Sequence, residues 1–369
     1  MKVKNNYQDC LTNLACSIRK YFNLEYKHST LTYIDELLEK EKPKNVVTIL
    51  CDGMGANILK RTLKSDDFLI RHLFKSIYTV FPATTVAATT SVMTGLNPVE
   101  TGMLGWDMYF KDIDKVITTF VGSEKGNESH KPLSIALEYR NKHMITKTIM
   151  DDINEKGEYK GYIVSKYCDT PYHTVDEMYE IIKEKCHEDG KKYIYAYNTE
   201  PDSSMHEYGS NSAIVKQLIE DINAKIEKLA SEVDDTIIFV IADHGHLNVE
   251  HIFLDDYPDI VKCLKRNTSL EPRAVNFFIK DDKKIEFVEL FNKHFKDFFD
   301  LYSMDDVIKS KLFGDGKENE VYRDILGDYL AIAKSNRDII YGGSEPLVSQ
   351  HSGYTDDEIF VPLVVIRKK

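Results

Sequence analysis

The chain has 369 residues, 42% of them hydrophobic and 29% charged, with a formal net charge of −12 at pH 7. This is the balance of a globular protein, and the length suits an α/β core carrying an inserted subdomain. The negative charge argues against nucleic-acid polymers and anionic membranes as partners. An anionic small molecule stays open, because bound metal ions can reverse a local field.

No segment approaches the roughly 18 apolar residues of a membrane span. The stretch from Met1 to Cys10 has charge but no apolar run of a secretory leader. Six cysteines, at 10, 16, 51, 168, 186 and 263, form no CxxC pair. They predict reduced thiols and a cytoplasmic location.

Leu11, Ala15, Ile18 and Phe22 recur at helical spacing, and a second helix is expected over Thr32 to Glu39. Residues 1–44 are thus a helical preamble packed on the core. Asn45 to Cys51, NVVTILC, predicts a strand buried on both faces of a parallel sheet. It runs into Asp52-Gly53-Met54-Gly55. Ser76 to Val80 is a short strand leading to Phe81-Pro82-Ala83-Thr84-Thr85. A helix rich in small residues follows, closed by Gly95-Leu96-Asn97-Pro98.

Thr84 and Thr85 stand where that helix begins. Unpaired N–H groups and partial positive charge at a helix start suit phosphoryl oxygens. A hydroxyl there is a nucleophile if its pKa is lowered, and an ordinary cap if it is not. Next comes Met103 to Phe110, with the only tryptophan. Trp106, Tyr109 and Phe110 either wall a substrate pocket or belong to the core.

Strands are expected over Tyr162 to Ser165, Tyr193 to Tyr197 and Thr236 to Ala242, with helices over Thr174 to His187 and Ala213 to Ser231. Ile214, Leu218, Ile222, Ile226 and Leu229 mark the buried stripe of the last helix. Residues 247–341 mix short, charge-rich pieces and read as an inserted α+β lid subdomain. Residues 45–246 and 342–369, ending in a strand from Phe360 to Ile366, form the core. The alternation predicts a doubly wound, mainly parallel sheet flanked by helices.

Asp52 and Asp243 directly follow apolar strands, and Asp202 follows a third. Sites in such sheets form beyond the carboxyl ends of the strands. Asp202 and His206 are four apart, on one face of a helical turn. His244 is adjacent to Asp243, and His351 arrives in the Gly-flanked Ser349-Gln350-His351-Ser352-Gly353. Asp and His donors suit Zn²⁺ best and Mn²⁺ or Fe less well. Taken singly, each signal also has a bland reading: a helix ion pair, a loop cap, a core histidine. Together and in this order they make the bland reading improbable.

Together the motifs CDGMG (51–55), FPATT (81–85), MTGLNP (93–98), GMLGWDMY (102–109), EPDSSMHEYG (200–209), ADHGH (242–246) and HSGYTDDEIFVPL (351–363) resemble the alkaline phosphatase superfamily. The likeness is to the nucleotide pyrophosphatase/phosphodiesterase branch and its bacterial cytoplasmic relatives. It implies an alkaline phosphatase-like core with two divalent ions. Asp202, His206 and His351 would hold one; Asp52, Asp243 and His244 would hold the other, with Thr85 bound to it as nucleophile. The implied reaction attacks a phosphodiester or nucleotide pyrophosphate bond, gives a phosphothreonine, and releases it with water. Thr84 is the fallback nucleophile, and His246 is expected behind the ligands. The implied partner is a small phosphorylated substrate, a nucleotide among the candidates. Trp106, Tyr109 and Phe110 are the candidate substrate-binding residues. Within the superfamily the alternatives are a phosphomonoesterase, phosphonate hydrolase or phosphomutase; outside enzymes, a degenerate metal- or nucleotide-binding protein.

Overall fold

Segments such as NVVTILC and TIIFVI have almost no polar face, so a strand made of them must be covered on both sides. The computed structural model of the chain, which describes residues 5–127, 129–144, 147–168 and 171–369, places both at the centre of a six-stranded sheet. The order is Leu73–Tyr78, Phe360–Lys368, Thr236–Ile241, Asn45–Cys51, Lys192–Asn198, Lys160–Val164. Pairing is parallel from Thr236–Ile241 to Lys160–Val164. Only Phe360–Lys368 runs antiparallel to its neighbours.

Helices flank the sheet in two groups. Leu11–Tyr21, Thr32–Glu41, Thr85–Thr94 and Ile149–Lys156 pack among themselves, as do Ala56–Thr62, Val175–His187 and Ala213–Ser231. Leu11, Leu14, Ile18, Ile34 and Leu38 of the first two helices are buried in the core of this sheet. The mainly parallel α/β fold expected from the sequence is therefore the fold observed. Among the described residues no helix is long and apolar enough to cross a membrane.

Two local expectations shift. The strand expected over Ser76 to Val80 is Leu73–Tyr78, because Thr79 and Val80 already leave the sheet for the Pro82 turn. In Ala213–Ser231 the buried stripe is Val215, Ile219, Ile222, Ile226 and Leu229, while Ile214 is 47% exposed. Steps of four residues alone drift about 40° each around a helix. Counting back from Ile222 to Leu218 and Ile214 thus leaves the buried face, whereas alternating steps of three and four stay on it.

A second, antiparallel sheet has seven strands, in the order Phe299–Ser303, Tyr329–Ala333, Ala274–Phe277, Ser269–Glu271, Asp107–Phe110, Lys115–Thr118, Ser123–Glu124. Its residues alternate between two cores. Leu330 and Ile332 face one that also holds Phe81, Ala83 and Val86 of the threonine turn. Ala331 and Ala333 face another, built around Phe287, Phe291 and Phe295 of the helix Lys284–Phe295. Residues 247–341 thus supply four of the sheet's seven strands, and these four pair with one another. Strands from 107–124 complete it, and its core continues beneath the threonine turn.

Candidate active site

The carboxyl ends of the central strands converge. Asp52 follows Asn45–Cys51 and is 2% exposed; Asp243 and His244 follow Thr236–Ile241 and are wholly buried. The main chain ties these ends together: Asp52 N–H donates to Asn198 O at 2.9 Å, and Asp202 N–H to Asp52 O at 3.0 Å. Gly53 adopts φ +71, and a Cβ there would meet Met205 Cε at 2.7 Å, so the turn after the first strand requires glycine. Asp202 opens the helix Asp202–Tyr208, which also carries His206. His351 follows Ser349–Gln350, a strand paired with Leu247–Asn248.

Thr84 is the N-cap of Thr85–Thr94, but its side chain does not cap the helix. Its hydroxyl donates to Glu271 Oε1 at 2.5 Å. Thr85, the first helical residue, places Oγ1 3.2 Å from His244 Nε2 and 3.5 Å from Asp52 Oδ1.

Two groups of residues could hold metal ions: Asp202, His206, His246 and His351; and Asp52, Asp243 and His244. Three features fit them to cations. First, ring orientation: His206 Nδ1 donates to Ser349 O at 2.8 Å, His351 Nδ1 to Ala83 O at 3.0 Å, and His244 Nδ1 to Gly245 O at 3.2 Å. A carbonyl only accepts, so Nδ1 carries a proton in each ring and Nε2 is the atom turned toward the site. Second, spacing: ligands at tetrahedral angles around one zinc stand about 3.3 Å apart. His244 Nε2 lies 3.3 Å from Asp52 Oδ1 and 3.6 Å from Asp243 Oδ2, and His206 Nε2 lies 3.4 Å from Asp202 Oδ1. Third, Asp243 Oδ2 is buried without a hydrogen-bond partner among the described residues, an orphan that a cation would satisfy.

His246 differs. Its Nε2 lies 2.5 Å from Asp202 Oδ1, a hydrogen-bond distance and too short for two ligands of one ion. Its Nδ1 meets Ser349 Oγ at 2.9 Å. In this position it serves Asp202 as a hydrogen-bond partner. Tyr197, which the sequence did not single out, does the same for Asp52 by donating its hydroxyl to Oδ2.

Burial, and after it the charge of Asp202, holds the Asp52 carboxyl well above the usual range; burial and then Asp52 do the same for Asp243. Burial also acts on Asp202, but His206 and His246 outweigh it and hold that carboxyl well below its usual range. Paired buried carboxylates of this kind lack positive charge, and the group Asp52, Asp243 and His244 lacks it most.

A cavity of ≈ 650 Å³ is lined by Thr85, Asp202, His206 and His351, and by Trp106, Lys125 and Glu271 from the second sheet and its turns. Its volume matches a ligand of nucleotide size. Trp106 is 42% exposed and lines the cavity. Tyr109 and Phe110 do not. The strand Asp107–Phe110 carries them away from Trp106: Tyr109 lies beneath the Arg266 guanidinium at 4.0 Å and against Phe278, and Phe110 stacks on Tyr139 at 4.6 Å. Both are packing residues.

Glu271 and Lys125 escaped the sequence reading. Glu271 Oε1 accepts from Thr84 Oγ1 and, at 2.7 Å, from the Trp106 N–H, and burial pushes its carboxyl up to about 7. Lys125 Nζ lies 3.6 Å from Asp107 Oδ2, and burial lowers its pKa. The available signal was a lone acid, Glu271, at the end of the otherwise uncharged stretch Asn267-Thr268-Ser269-Leu270 before Pro272.

Known proteins give three findings. The family model for type I phosphodiesterase/nucleotide pyrophosphatase matches residues 46–355. Comparison with curated proteins finds no match. Among solved structures, murine ectonucleotide pyrophosphatase/phosphodiesterase 5 is similar with a TM-score of 0.64 at 16% identity, over 86% of this chain and 87% of that one. An inactive Thr→Ala variant of the murine protein in complex with AMP gives 0.63 at 16%, over the same shares of 86% and 87%. The human protein gives 0.64 at 18%, again over 86% and 87%. At these identities the structural likeness speaks for the fold. The family match covers Asp52, Thr85, Asp202, His206, Asp243, His244 and His351 together, and with it the chain belongs to the type I phosphodiesterase/nucleotide pyrophosphatase family of hydrolytic enzymes.

Proposed function

We propose that this chain hydrolyses phosphodiester or nucleotide pyrophosphate bonds through two divalent metal ions and a phosphothreonine on Thr85. The observation that carries the reading is the position of Thr85 Oγ1, on the cavity and within 3.5 Å of both Asp52 and His244. Asp202, His206 and His351 would hold one ion; Asp52, Asp243, His244 and the Thr85 oxygen would hold the other. The donors favour Zn²⁺, with Mn²⁺ second. When bound, the ions supply the positive field that stabilises a threonine alkoxide and a transferring phosphoryl group.

The chain's own groups do the rest. The first N–H groups of Thr85–Thr94 have no helical partner and suit phosphoryl oxygens. Thr85 Oγ1 attacks phosphorus, the bond to the leaving oxygen breaks, and water later cleaves the phosphothreonine. Thr84 is not the nucleophile, because Glu271 takes its hydroxyl. His246 and Tyr197 keep Asp202 and Asp52 oriented. Inactivity of the Thr→Ala variant of the murine protein supports a threonine nucleophile, and AMP in that complex supports a nucleotide as substrate. The free thiols Cys10, Cys16, Cys51, Cys186 and Cys263 support a reducing, cytoplasmic location.

Hydrolysis of bis-p-nitrophenyl phosphate against p-nitrophenyl phosphate, with added Zn²⁺ or Mn²⁺, tests the reading. The diester should be preferred. Thr85→Ala should lose about three or more orders of magnitude in kcat with an unchanged melting temperature. Near-normal turnover by Thr85→Ala, or a preference for the monoester, would overturn it.

A further inference from the structure

Glu271 is a carboxylate in a place where a phosphoryl-transfer cavity has little use for negative charge. It is 6% exposed and lines the cavity that Thr85 faces. Its two oxygens are not equivalent. Oε1 accepts from Thr84 Oγ1 at 2.5 Å and from Trp106 N–H at 2.7 Å, which fixes the plane of the group. Among the described residues Oε2 meets no donor, and the group lines the cavity.

Lys125 lines the same cavity but is engaged elsewhere. Lys125 Nζ is shared between Asp107 Oδ2 at 3.6 Å and Thr268, whose carbonyl and hydroxyl oxygens lie at 3.3 and 3.4 Å. An acceptor oxygen on the cavity wall, with the rest of its group already fixed, is placed to bind a ligand that brings a donor. Trp106 frames the same spot: its main chain is bound by Glu271 and its ring is exposed on the cavity.

Resting on the phosphodiesterase reading above, we infer that Glu271 is a specificity-determining residue: its free Oε2 accepts a hydrogen bond from a hydroxyl or ammonium group that the substrate carries close to the scissile phosphorus, on the Trp106 side. The preferred substrate class is a phosphodiester whose alcohol part bears such a donor. A substrate placing a second anion there is disfavoured by repulsion.

Four p-nitrophenyl phosphodiesters separate the cases: the methyl, 2-hydroxyethyl, 2-aminoethyl and 2-carboxyethyl esters, assayed with the metal-loaded full chain in alkaline buffer, where Glu271 is ionised. The hydroxyl or amino ester should exceed the methyl ester about tenfold or more in kcat/KM, chiefly through KM, with the carboxy ester poorest. The hydroxyl and amino arms tell which donor is read. Glu271→Gln keeps an acceptor for Thr84 and Trp106 but puts an amide N–H₂ at the open position, so the preference should collapse toward equality. Equal treatment of all four esters by the wild type, or a proportional loss on all of them in Glu271→Gln, would overturn the inference. Calorimetric binding of O-phosphoethanolamine against methyl phosphate tests it without turnover and without the variant. The former should bind about tenfold tighter, and equal affinity counts against Glu271. Failure of every ester to turn over would instead strike at the phosphodiesterase reading, which the binding comparison does not need.

Discussion

His206 and His351 come from distant parts of the chain, yet each sets its ring in the same way, with Nδ1 on a main-chain carbonyl and Nε2 inward. Three such rings and three carboxylates predict metal uptake. Elemental analysis of protein purified without chelator should approach two zinc-like ions per chain, and His351→Ala should fall toward one. Uptake of Mg²⁺ alone, with zinc on offer, would count against the site. These candidate ligands were legible because each Asp follows an apolar strand, His206 and His244 sit four and one residues beyond an Asp, and His351 stands in a Gly-flanked motif of the same set. Glu271 was not, since one acid in a short strand has no partner in the local sequence; Thr84 and Trp106 become its partners only through long-range pairing. Its carboxyl, raised from 4.5 to about 7 by burial, gives a second check. Below about pH 4.5 folded and unfolded chains both hold the proton. Between there and about pH 7 only the folded chain keeps it, so the stability it confers is lost as pH rises through about 7. The stability difference between wild type and Glu271→Gln, measured by urea unfolding of metal-free protein, should therefore move against the wild type from pH 5 to pH 8. A constant difference would mean that Glu271 does not titrate in this window.

The elements that hold the ligands are joined by one buried ion pair. Arg273, in the turn between Ser269–Glu271 and Ala274–Phe277, donates from Nε and Nη2 to Glu358 at 2.6 and 2.8 Å, and both side chains are fully buried. Glu358 also accepts from the N–H groups of Gly353 and Thr355, so it shapes the loop that follows His351. The short helix around it supports the other ligand loop as well: Gly245 N–H donates to Glu358 O at 3.0 Å, and a Cβ on Gly245 would fall 1.9 Å from Asp357 O. Breaking such a pair on one side leaves an unpaired buried charge, and Glu358→Gln should cost about 3–5 kcal/mol. A denaturant midpoint close to that of the wild type would show the pair to be dispensable. None of this could be read from the sequence. NVVTILC and TIIFVIA declare themselves as buried strands because every residue but the threonines and Asn45 is apolar. Ser269–Glu271 and Ala274–Phe277 are only three and four residues long, include Glu271 and Asn276, and, apart from pairing with each other, find their partners far along the chain. Periodicity in so few residues does not separate strand from loop.

At the scale of the whole molecule, the two sheets are not a core with an appendage. Phe81, Ala83 and Val86 of the threonine turn share a hydrophobic cluster with Leu270, Ala274 and Leu330 of the second sheet and with Tyr354 and Ile359 near His351. The residues that would bind metal thus rest on the central sheet from one side and on this shared core from the other. Unfolding the second sheet would remove the floor under Thr85 and the clamp on the His351 loop together. Ligands that bind only the folded chain should then stabilise all of it at once. At a free metal concentration 100 times the dissociation constant, one site adds about 2.7 kcal/mol, a few degrees in melting temperature for a chain of this length. Calorimetry should show one transition that moves up by this amount with Zn²⁺ and back with chelator. Two transitions, of which only one responds to metal, would mean that the sheets melt separately and that the second sheet is a true subdomain after all.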